Sequence, residues 1–66
     1  MEIVLNGKRR EVAQGVSVLG LIEELGIARK AMAVAVNTQV VQKARWAEQI
    51  LESGDEVEIL DFVGGG

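Results

Sequence analysis

Neither cysteine nor histidine occurs anywhere in the 66 residues. Without cysteine there is no disulfide, no thiolate zinc site and no thiol nucleophile. Without histidine the chain lacks the usual metal ligand and the side chain that most readily moves protons near neutral pH. Serine is confined to Ser17 and Ser53, and neither has a usual activating base. No run of about 18 apolar residues is present, so no membrane span is expected. No charged stretch followed by an apolar one opens the chain, so no export signal is expected either. The lack of cysteine agrees with a cytoplasmic location. Basic surface is also scarce. The net charge is −3, and the one basic cluster, Lys8-Arg9-Arg10, is followed at once by Glu11. That cluster reads as a solvated edge strand. It is not the concentrated basic surface that nucleic acid requires. A mildly acidic face suits a basic protein partner instead, where charge speeds and selects encounter.

What the chain does have is apolar residues, 48% of the total. That supports a compact fold and argues against disorder. A domain of this length buries only about 60% of its unfolded surface, so its core must carry it unaided. From Glu2 to Asn6, Ile3 and Leu5 share one face, and Glu2 and Val4 the other. Asn6-Gly7 follows, the best pair for a type I′ turn, and Lys8 to Ala13 reads as the returning strand. Gln14-Gly15 breaks it. Ser17 is placed to cap a helix. Val18, Leu21, Ile22 and Leu25 then form one apolar stripe, with Glu23 and Glu24 facing water. Gly26 stands where a C-terminal cap wants positive φ. Gly20, inside the helix, costs about 1 kcal/mol relative to alanine.

Ala31 to Val36 is apolar on both faces, as an interior strand is. Asn37-Thr38-Gln39 offers a turn and Val40-Val41 a short strand. Ala44 to Leu51 fits two descriptions: a helical stripe through Ala47, Ile50 and Leu51, or one turn followed by extended chain. Trp46 reads as a core or cover residue. After a turn at Ser53-Gly54-Asp55, Glu56 to Phe62 reads as the last strand. Val57 and Ile59 share one face; Glu58, Leu60 and Phe62 share the other. The order is β-β-α-β-β-β, an α+β domain over residues 1–62 with a glycine tail at 63–66. The first and last strands are expected to be neighbours, because one helix covers only a few central strands.

Elimination leaves little chemistry in the side chains. Asp55, Glu56, Glu58 and Asp61 form an acidic rim that reads as solvated strand edge. The terminal glycines precede no helix, so they are no phosphate loop. The remaining reactive group is the carboxylate of Gly66. Consecutive glycines lack Cβ, so such a tail is thin enough for a narrow channel in another protein. From Val63 to Gly66 it reaches roughly 13 Å at about 3.3 Å per residue. A free carboxylate is inert to nucleophiles until it is activated, for example as an acyl adenylate. Leu60 and Phe62 stand either as an exposed patch beside the tail, of the kind that marks a partner site, or in the core, turned there by a bulge.

The Asn6-Gly7 hairpin, the segment Ala33-Val34-Ala35-Val36-Asn37, the stretch Arg45-Trp46-Ala47, the Gly54-Asp55 turn and the ending Phe62-Val63-Gly64-Gly65-Gly66 together resemble the sulfur carrier proteins of thiamine biosynthesis, ThiS type. The resemblance spans the whole chain. It implies a β-grasp, ubiquitin-like fold: a mixed four- to five-stranded sheet packed on one main helix. It implies a protein cosubstrate, not an enzyme, with no stably bound cofactor, expected to be a monomer when free. Gly66 would be adenylated with ATP by an E1-like activating enzyme. A cysteine desulfurase route would supply persulfide sulfur to convert it to a thiocarboxylate, which donates sulfur to thiazole synthase. Gly65 and Gly66 match the family's diglycine and Gly64 extends it. Leu60, Phe62 and Val63 become the candidate partner patch. Two readings share the terminus: the small subunit of molybdopterin synthase, which usually runs longer, and a ubiquitin-like modifier that joins lysine. A plain binding module is the third.

Overall fold

A computed structural model describes residues 1–27 and 31–61, and only the backbone of 31, 32 and 61. The elements are β1 (Glu2–Leu5), β2 (Lys8–Glu11), α1 (Val18–Glu24), β3 (Ala31–Val36), β4 (Gln39–Val41), a 3-10 turn (Lys43–Arg45) and β5 (Glu56–Asp61). The five strands form one mixed sheet in the order β2-β1-β5-β3-β4. The first and last strands are indeed neighbours, and they run parallel, with Val4 beside Glu56 and Leu5 beside Val57. The other neighbours run antiparallel.

Local chemistry accounts for most of these elements. Asn6 (φ 49°) and Gly7 (φ 84°) make the two-residue turn of the first hairpin, closed by Leu5 opposite Lys8. The returning strand stops at Glu11, two residues short of the expected Ala13. Val12 still bonds both ways with Met1, because its buried side chain belongs to the core. In the second hairpin, Gln39 lies in β4 rather than in the turn. Asn37 and Thr38 alone make that turn, at φ 51° and 72°. Ser17 caps α1, its Oγ accepting from the Gly20 N–H at 3.0 Å. At the other end Gly26 (φ 75°) donates to Glu23 O, and Ile27 donates to Ile22 O. That pair of bonds is the Schellman closure, which needs a left-handed residue that glycine supplies at no steric cost.

Val18, Leu21 and Ile22 of α1 meet Ile3, Val34, Val36, Val57 and Ile59 of the sheet in one core, and Val12, Trp46 and Leu51 complete it. Leu25 packs at its margin. Between Lys43 and Leu51 the second description holds: a single turn, then extended chain that bridges Ile50 to Ser17. Ala47 and Ile50 are exposed, and only Leu51 of the proposed stripe is buried. Trp46 is buried, and its indole N–H donates to Val41 O at 3.0 Å. β2 is an edge strand, as the Lys8-Arg9-Arg10 cluster suggested, but Arg10 is half-buried. It lies opposite Ile3 on the core side, and its stem covers apolar surface.

Candidate functional site

β5 is the central strand of the sheet and leads to the C-terminus. Its side chains alternate. Val57 and Ile59 point into the core, and Glu56, Glu58 and Leu60 face away from it. Leu60 is 62% exposed, which answers half of the question left by the sequence: it is a surface residue. A bulge does exist, but in β3. The register shifts between Ala31, opposite Asp61, and Ala33, opposite Leu60. Leu60 stays on the open side of the sheet. Phe62, Val63, Gly64, Gly65 and Gly66 lie outside the described residues.

Around Leu60 the open face is apolar and shallow. Ala33 is its cross-strand partner, and Ala35 lies between Glu58 on β5 and Val40 on β4. Val40 is 74% exposed. Alanines at the two middle positions leave a depression of about 310 Å³, bordered by Asn6, Val40, Glu58 and Leu60. Glu58 makes its β5 side acidic. An exposed apolar floor with charge at one margin is the pattern of a protein-binding surface. The sequence did not single out Val40, Ala33 or Ala35. The signal was there in the register. A two-residue turn at Asn37-Thr38 puts Val40 opposite Ala35, whereas a three-residue turn hides that pairing.

Two turn asparagines fasten β5. Asn37 accepts the Glu56 N–H at 2.9 Å, and its amide donates to Asp55 Oδ1 at 3.0 Å. Asn6 accepts the Ile59 N–H at 2.8 Å and donates to Ile59 O at 3.4 Å. Asp55 is occupied on both oxygens, since Oδ2 accepts from the Glu52 N–H at 2.8 Å. It is therefore a turn residue. Among the described residues, no group of three or more acidic side chains is placed to hold a metal ion. The start of α1 offers nothing to an anion either. The N–H groups of Val18, Leu19 and Gly20 already donate to Gln49 O, Trp46 O and Ser17 Oγ. Among the described residues, no helix is long and apolar enough to cross a membrane.

Comparison with known proteins bears on this arrangement directly. Residues 3–66 match the ThiS family. The chain is 32% identical over 66 residues to the sulfur carrier protein ThiS of Escherichia coli (strain K12), covering all of both chains. It is 36% identical to a thiazole synthase of Paramagnetospirillum magneticum, of which it spans only 20%. The crystal structure of a thiamine biosynthesis protein (ThiS) from Geobacter metallireducens superposes with a TM-score of 0.83 at 31% identity, over 100% of each chain. The five-stranded mixed sheet with one helix is thus the β-grasp arrangement of ThiS. The chain is accordingly a carrier protein and not an enzyme. The chain belongs to the ThiS family, the sulfur carrier proteins of thiamine biosynthesis.

Proposed function

We propose that this carrier bears its sulfur on the C-terminal carboxylate of Gly66, as a thiocarboxylate. Family membership through the last residue carries the reading, in a chain whose side chains include no cysteine or histidine. A partner activating enzyme supplies the chemistry. A carboxylate oxygen of Gly66 attacks the α-phosphorus of ATP, pyrophosphate leaves, and an acyl adenylate forms. The outer sulfur of a persulfide from a cysteine desulfurase route then displaces AMP to give an acyl disulfide. A second thiol on the partner side attacks the persulfide's inner sulfur, leaving the thiocarboxylate on Gly66 and a disulfide on the partner. ATP is consumed there and is no resident cofactor of this chain. Residues 1–62 act as the body and 63–66 as the tail. Gly64 and Gly65 are the stretch thin enough to thread a partner's active site.

Thiazole synthase is the proposed acceptor of the sulfur. Proteins bearing that name contain a stretch similar to this whole chain, and such a union holds carrier and acceptor at high effective concentration. The open face at Leu60 is the proposed dock, together with Phe62 and Val63, which follow closely in the sequence. Its Glu58 margin favours a basic rim on the partner. These steps belong in the cytoplasm, where ATP and desulfurase sulfur are available.

Intact mass after incubation with ATP, a sulfur source and the activating enzyme tests the reading. Exchange of one oxygen for sulfur at the terminus is the expected result. High-mass conjugates would mean a lysine modifier instead. No change with a competent enzyme would sink both. Deleting Gly66 is expected to abolish the exchange.

A further inference from the structure

Asn6 does more than turn a hairpin. β1 pairs with β5 only as far as Leu5 beside Val57, because the chain then turns back through Asn6-Gly7. Beyond that point β5 has no backbone neighbour on its β1 side among the described residues. On the other side it pairs with β3, but across the register shift between Ala31 and Ala33. Among the described residues, the outer half of the central strand is therefore held by the β3 ladder alone, which is regular through Leu60 and shifts register at Asp61. Without a further group, the β1-side N–H and C=O of Ile59 would have no partner among the described residues.

The Asn6 side chain supplies both. Its Oδ1 accepts from Ile59 N at 2.8 Å and its Nδ2 donates to Ile59 O at 3.4 Å. A primary amide carries the donor and acceptor of a peptide group, so this side chain stands where one more peptide unit of β1 would continue the ladder. The left-handed φ of Asn6 (49°) makes this possible. The main chain turns away while the side chain continues toward β5. Among residues other than glycine, asparagine tolerates that conformation well. Ile59 is next to Leu60 and two residues before the last described residue, Asp61. Asn6 also borders the depression at Leu60.

We infer that Asn6 is a positioning residue for the sulfur-transfer reaction: its side-chain amide clamps Ile59 and so fixes the root from which Leu60 and the C-terminal glycines are presented to the partner enzymes. This rests on the proposal that Gly66 is the working group. A reaction that needs the terminal carboxylate in line with ATP is sensitive to freedom at the base of the tail. The described side-chain bonds of Asn6 go to Ile59 and not to Ala33, Ala35 or Val40 of the docking face.

Two variants of the same turn test it. Asn6→Gly keeps the turn conformation and removes the clamp. Gly7→Ala strains the turn, which has φ 84° at that position, and leaves the clamp. In the free chain, Ile59 amide exchange is expected to quicken in Asn6→Gly by roughly fivefold beyond the change in global stability, the worth of one hydrogen bond. In adenylation kinetics with ATP and the activating enzyme, kcat of Asn6→Gly falls by about the same factor while KM moves far less. Gly7→Ala, compared at equal fraction folded, keeps its kcat. Equal losses in the two variants, or unchanged Ile59 exchange, would overturn the positioning role. Wild-type chain that never acquires sulfur would remove the carrier reading and the positioning role with it, whereas Ile59 exchange would still report whether the clamp exists.

Discussion

Thr38 stands at φ 72° in a two-residue hairpin turn, a conformation that a β-branched side chain resists. Its neighbour Asn37 suits the turn and also binds Glu56 and Asp55, so the strain is concentrated on Thr38. Thr38→Gly is expected to stabilise the protein by about 1 kcal/mol through relief of that strain, offset in part by entropy. A urea midpoint that does not rise would contradict this. Leu60 is the opposite case, a large apolar side chain that the fold leaves in water. Leu60→Ser should leave stability within about 0.5 kcal/mol. It should raise the KM for activation by roughly 5- to 30-fold, the cost of a contact worth about 1–2 kcal/mol. An unchanged KM would remove Leu60 from the dock. At this scale the turns were legible and their second jobs were not. Asn-Gly announces a type I′ turn because both conformations are local. Nothing local links Asn6 to Ile59, 53 residues away in the chain.

The helix was the most legible element, because stripe, cap and stop all lie within ten residues. Ser17 closes the first turn through Gly20 N–H, and its backbone carbonyl accepts from Leu21. Ser17→Ala is expected to cost about 1 kcal/mol, read as a shift in the urea midpoint at constant slope. Gly20 in that turn has a packing reason. A Cβ there would come within 3.1 Å of Val16 Cγ2 and 3.3 Å of Ser17 Oγ, so alanine would press on the cap itself. The segment after β4 was ambiguous for a physical reason. Its apolar residues match a helix as well as an extended chain, and what decides between them is distant. Trp46 O and Gln49 O receive the first N–H groups of α1, and Leu51 N–H donates to Val16 O. Those bonds hold the segment open against the helix start and leave Ile50 outside the core. Likewise the bulge in β3 decides the partner of Asp61, one residue beyond Leu60, and no residue in β5 encodes it.

Taken whole, the molecule has a core of a few side chains and little margin. At roughly 0.05–0.15 kcal/mol per residue, 66 residues are expected to be stable by about 3–10 kcal/mol. Leu21 is fully buried between helix and sheet. Leu21→Ala costs about 2–5 kcal/mol at such a site, so a large fraction of that variant should be unfolded at 37 °C by circular dichroism. The parallel pairing of β1 with β5 has a further consequence, for the order of events during synthesis. The middle strand of the sheet is the last of its strands in chain order. Until it arrives, the β1–β2 and β3–β4 hairpins have no strand to join them, and the long closure required slows their meeting. A nascent or prematurely ended chain thus lacks the very strand that unites the sheet. Joining of the two hairpins and formation of the open face at Leu60 then become one event.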